Sequence, residues 1–108
     1  MPNFRCRVLF LLVAGPVCMQ AMAKEFEVTQ KDKKFNQKAL ALKTGDSISF
    51  KNEDAFAHNI FSLSDTKTFD LGSYPQGQAK SVVFDKPGTV EVECAIHPDM
   101  KLVVEVKK

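Results

Sequence analysis

Two alternating runs near the end of the chain, Val90-x-Val92-x-Cys94 and Leu102-x-Val104-x-Val106, are separated by only a short connection. A period of two marks a half-buried strand, so this stretch is predicted to be a β-hairpin with one face in a core. The loop between the strands is Cys94-Ala95-Ile96-His97-Pro98-Asp99-Met100, with a thiol, an imidazole and a thioether at intervals of three. Three such donors in one turn suit a soft transition-metal ion. Cys94 shares the parity of Val90 and Val92, which directs its sulfur toward the core end of the hairpin. A further imidazole has to come from another part of the chain, and His58 is the one other histidine.

The first 23 residues explain why so few soft donors remain. Arg5 and Arg7 precede an apolar run from Val8 to Val17, and Ala21-Met22-Ala23 follows. A charged start, a short apolar core and a small-x-small site make a secretory signal peptide. The apolar run is about half the length of a bilayer span. Val17 and Gly15 before Cys18 fit lipoprotein processing poorly. Cleavage after Ala23 leaves one domain, residues 24–108, and places it in the periplasm. Cys6 and Cys18 are lost with the leader, so Cys94 has no partner for an internal disulfide in an oxidising compartment. Met100 is then the one methionine left.

Charge excludes another class. Without Arg5 and Arg7, 13 lysines balance 13 acidic residues. No clustered basic face for nucleic acid is expected. The domain is small enough that a bound metal would help to hold it.

The rest of the mature chain alternates in short runs. Phe26 and Val28, Leu40 and Leu42, Ile48 and Phe50, the segment Asn59 to Leu63, and Val82 and Phe84 each mark a strand. Thr44-Gly45-Asp46 and Lys86-Pro87-Gly88 read as turns. Lys31 to Lys34 reads as a solvated basic loop, and Ser64 to Gln78 as an irregular stretch that could hide an edge strand or short helix. With the final hairpin this predicts an all-β fold, a small antiparallel Greek-key β-sandwich of about seven to eight strands.

Copper suits this donor set. Two imidazoles and a thiolate with a distant thioether satisfy both Cu(I) and Cu(II) tolerably, so little has to move when an electron arrives. The chain resembles the cupredoxins, the type 1 blue copper proteins that include plastocyanin, and its Cys-x-x-His-x-x-Met loop has the short spacing of the amicyanins. Asn52-Glu53-Asp54-Ala55-Phe56-Ala57-His58-Asn59 is similar to the family's first-ligand segment. The resemblance implies one copper ion held by His58, Cys94 and His97 with Met100 as the weak axial ligand. It makes Asn59 a supporting residue, its backbone amide directed at the Cys94 sulfur and its side chain joining the ligand loops. It also implies that His97, beside Pro98, is the electron's exit. Two departures stand out: Ala95-Ile96 replaces the usual Thr-Pro, and Ala57 stands where a Pro often precedes the first His. Without a hydroxyl at Ala95, any contact from Asn59 has to reach the Ala95 backbone.

The function expected is single-electron transfer between transient protein partners, such as a dehydrogenase and a c-type cytochrome, by a monomer without enzymatic activity or a membrane span. The alternative is a periplasmic protein that buffers or delivers copper. Exposed Met or His clusters would favour delivery, and the mature sequence has none. A Cys94–His97 nucleophile is the enzymatic alternative, and no orienting group or oxyanion-hole motif accompanies it in the sequence. Asp54, Asp70 and Asp99 read as solvated charges.

Overall fold

The computed structural model describes residues 22–108, so most of the leader lies outside the described residues. Nine strands follow in order: β1 (Glu25–Lys31), β2 (Lys34–Phe35), β3 (Ala39–Lys43), β4 (Ser47–Asn52), β5 (His58–Ser64), β6 (Lys67–Tyr74), β7 (Ala79–Val83), β8 (Gly88–Cys94) and β9 (Lys101–Lys107). They form a four-stranded sheet, β2-β1-β4-β7, and a five-stranded sheet, β3-β9-β8-β5-β6. The sandwich is all-β among the described residues, as the alternation predicts. Two pairings, β1 with β4 and β3 with β9, are parallel, and the rest are antiparallel. No helix among the described residues is long and apolar enough to cross a membrane.

The period-two pattern dictates the core. Val90, Val92 and Cys94 of β8 and Leu102, Val104 and Val106 of β9 are buried, and so are Val28, Ile48, Phe50 and Ile60. The exposed positions between them carry Glu91, Lys101 and Glu105, so each strand separates its faces without buried charge. Gly88 begins β8 where a Cβ would lie 2.5 Å from the Thr66 hydroxyl, and its φ of 139° also favours glycine.

One stretch differs from the sequence reading, and a second resolves an alternative that reading left open. The supposed basic loop contains the tight β1–β2 turn, with Asp32 and Lys33 both at positive φ (56° and 61°). Two successive left-handed residues are what a two-residue hairpin of the right twist demands. The irregular stretch holds β6, an edge strand whose alternation is broken by Gly72 and by a register shift opposite Asn59 and Phe61.

Tyr74, at the end of β6, ties the sheets together. Its hydroxyl donates to the Phe50 carbonyl of β4 at 2.9 Å and lies 3.4 Å from Gln30 Oε1 of β1. Burial pushes the Tyr74 phenol up to about 12. A raised phenol contributes stability that is present below its unfolded pKa of about 10 and is lost as pH rises toward 12. Tyr74→Phe should therefore cost about 1–2 kcal/mol at pH 7 by leaving the Phe50 carbonyl short of a donor. It should also flatten the alkaline limb of a denaturation-versus-pH curve, and chemical denaturation from pH 7 to 12 measures both effects.

Candidate metal centre

The centre is built where β5 meets β8. Ile60 pairs with Cys94 across that ladder. His58 has the core-facing parity of Ile60 and Ser62, and all three are buried. His58 Nδ1 then lies 3.5 Å from Cys94 Sγ. Past Cys94 the chain turns through the loop, with Met100 N–H donating to the His97 carbonyl at 2.9 Å. This turn brings His97 Nδ1 to 3.2 Å from His58 Nδ1 and 3.8 Å from Cys94 Sγ. Met100 is buried in the core beside the same loop.

Donor chemistry shows what this triangle accommodates. Metal bonds of about 2.0–2.3 Å at trigonal angles separate their donor atoms by roughly 3.5–3.7 Å. The observed sides of 3.2, 3.5 and 3.8 Å match a single ion at the centre. His58 Nε2 lies 2.6 Å from Asp54 Oδ2. A carboxylate accepts, so Nε2 carries a hydrogen, and Nδ1 is the ring nitrogen left to face Cys94 and His97 and to bind a metal in the neutral ring. Lone pairs converging in a buried site are relieved by a cation.

Asp54 corrects the sequence reading, which made it a solvated charge. It is 6 % exposed, and its carboxylate also accepts the N–H groups of Asp32 (2.6 Å) and Lys33 (3.1 Å). Burial works to raise its pKa, but the His58 bond and these two backbone donors outweigh it and hold the carboxyl below the ordinary range. Asn52 supports Asp54 in turn: its Oδ1 accepts the Asp54 N–H at 2.8 Å. Its Nδ2 donates to the carbonyls of Phe56 and Tyr74. Asn-x-Asp ahead of His58 was the available signal, and the sequence reading placed it in the first-ligand segment without giving Asp54 a role toward His58.

Asn59 acts through its backbone. Its carbonyl accepts the Ala95 N–H at 2.9 Å and joins the two ligand segments, while its side-chain Oδ1 is buried without a partner. His97 is half-buried, with its ring 5.5 Å from Phe56. Phe56 and Ile96 are 42 % and 51 % exposed, so an apolar rim flanks the imidazole, and Pro98 lies beside it. Desolvation, then His58 and Lys33, lower the His97 pKa, which favours the neutral ring that can bind a metal.

A profile described as "Copper binding proteins, plastocyanin/azurin family" matches residues 22–107. The chain belongs to that family. The methylamine utilization protein MauL of Methylorubrum extorquens is 34 % identical over 89 residues, covering 82 % of this chain and 78 % of the relative. Amicyanin-alpha of the same organism is 31 % identical over 101 residues, covering 89 % and 85 %. A solved Cu(I) form of an amicyanin variant superposes with a TM-score of 0.71 at 25 % identity, covering 76 % of this chain and 81 % of that one. As in the rest of the plastocyanin/azurin family, the cofactor is copper, and His58, Cys94 and His97 are positioned as a type 1 site.

In this cupredoxin Asp54 fixes both the orientation and the tautomer of His58. Outer partners of metal-bound imidazoles typically govern 10- to 100-fold in affinity. Asp54→Asn should weaken copper binding by about that factor, measured by competition against a copper chelator. Unchanged affinity with lower thermal stability would assign the carboxylate to the β1–β2 turn alone.

Proposed function

We propose that this cupredoxin is an exported carrier of single electrons, with His58, Cys94 and His97 as the equatorial copper ligands, Met100 as the weak axial one and His97 as the exit. Copper supplies the one-electron couple, and the chain supplies a donor set that changes little between the two oxidation states. The observation that carries the reading is the Sγ–Nδ1–Nδ1 triangle, closed by two buried residues and one at the surface. His58 and Cys94 are held by a ladder and a carboxylate, which keeps reorganisation small. His97 reaches solvent between Phe56 and Ile96, where a partner can approach without disturbing the buried donors.

Copper delivery would be served by a chain of exposed donors that passes the ion onward. Among the described residues one group of metal-seeking side chains exists, and two of its three members are buried. Cys94 and His58 with Asp54 do resemble a thiol nucleophile with a base and an orienting carboxylate. Cys94 is 2 % exposed, however, which leaves a substrate no approach to the sulfur. The similarity to methylamine utilization protein MauL and to amicyanin-alpha supports a place in methylamine utilization, and redox proteins such as a dehydrogenase and a c-type cytochrome are the partner class proposed.

Copper(II) loading should give an intense visible sulfur-to-copper band, and Cys94→Ser should remove it. Met100→Gln should keep a bound ion and shift the reduction potential, because the axial ligand tunes it. Absorption titration and voltammetry read these outcomes. An unchanged potential in the Met100 variant would exclude that residue from the axial position, and a colourless copper-loaded protein would overturn the carrier reading.

A further inference from the structure

At the end of the β1–β4 pair remote from Asn52 and the metal centre, a second carboxylate is held in place. Asp46 is almost fully buried. Its Oδ2 accepts the Lys43 N–H at 2.9 Å, and its backbone carbonyl accepts the Phe84 N–H at 2.8 Å. Its Oδ1 accepts the backbone N–H of Lys24, also at 2.9 Å. The parallel ladder starts at the next residue, Glu25 opposite Ser47, and the Ser47 N–H donates to the Lys24 carbonyl. Met22 and Ala23, just before it, are exposed. The nitrogen that meets Asp46 therefore belongs to the residue after the Ala21-x-Ala23 motif.

We propose that the chain is cut between Ala23 and Lys24 and that the new α-ammonium stays on the Asp46 carboxylate, so that maturation closes this end of the sandwich with an ion pair. The step is a hydrolysis by a leader-removing endopeptidase. Water adds across the Ala23–Lys24 amide, Ala23 leaves with a carboxylate, and the Lys24 nitrogen becomes a protonated amine. A neutral N–H donor at 2.9 Å is replaced by a charged one on the same atom, which strengthens the bond.

The surrounding charge makes the position of the cut matter. The hollow at this end is lined by Lys24, Lys43, Lys107 and Lys108, and Asp46 is the one acidic side chain in the lining. An α-ammonium displaced from Asp46 would sit among four like charges without its counterion. Asp46 lies at the end of β4 opposite Asn52 and the metal centre, so this ion pair is independent of copper.

Export of the full chain in a Gram-negative host, followed by intact mass measurement, should give a protein that begins at Lys24; any other N-terminus overturns the proposal. Chains that begin at Lys24 and at Met22, both with Asp46 intact, should differ in melting temperature at pH 7 by about 2–5 °C in favour of Lys24. The pair raises the folded pKa of the α-amino group, so its contribution is present below the ordinary value of about 8 and lost as pH rises above it. The gap should therefore close by about pH 10. Asp46→Asn should abolish it at pH 7. Equal melting temperatures of the two Asp46 chains at pH 7 would refute the ion pair even if the Asn variant fails to fold.

Discussion

The pairing of β5 with β8 is the constraint on which the metal centre depends. Ile60 opposite Cys94 places the sulfur and the His58 ring on one buried face at the end of the sandwich. A slip of one residue in either strand would turn one of these donors to solvent. The flanking register is secured on both sides, by six paired positions between β8 and β9 and by the β6 ladder along β5. Sheet geometry therefore fixes two of the three donors before any metal is considered. Only His97 is left to a loop, and that loop is closed by its own backbone hydrogen bond from Met100.

A buried imidazole still needs its unused nitrogen satisfied, and the solution here is costly in isolation. An unpaired carboxylate at the Asp54 position would lose several kcal/mol of hydration. Two backbone N–H groups and the His58 N–H offset that loss. The two backbone donors come from consecutive left-handed residues, whose N–H groups point the same way and form an anion-binding concavity. The strained β1–β2 turn and the orientation of His58 are thus one arrangement. The basic character of Lys31 to Lys34 is incidental to it, because the main chain makes the contact.

What the sequence made legible follows from this division. Strand parity located the core and the burial of Cys94, and donor counting isolated His58, Cys94 and His97, because each depends on side-chain identity and period alone. Asp54 was not legible as a buried partner of His58. Its role depends on backbone donors from 21 and 22 residues earlier, and aspartate before a histidine is more often solvated. β6 was hidden because its edge position relaxes the alternation and Gly72 interrupts it. The parallel pairings are equally silent in sequence, since a strand of period two carries no record of its neighbour's direction.

The two ends of β4 show one physical device put to different uses. At each end a carboxylate with little solvent contact is stabilised by backbone N–H groups from a neighbouring segment, and the pKa of each is lowered. At Asp46 the leading causes are the Lys24 and Lys43 amides, so that carboxylate organises chain ends and a turn. At Asp54 a side-chain imidazole joins the amides, and the same kind of anion sets the tautomer of His58. A backbone-held carboxylate is a fixed negative charge that does not depend on long side chains staying in place. Beside a metal-seeking histidine such a charge increases the electron density offered to a cation, while away from it the charge is free to serve the fold. The contrast explains why the domain tolerates two nearly buried acids among so few polar core groups.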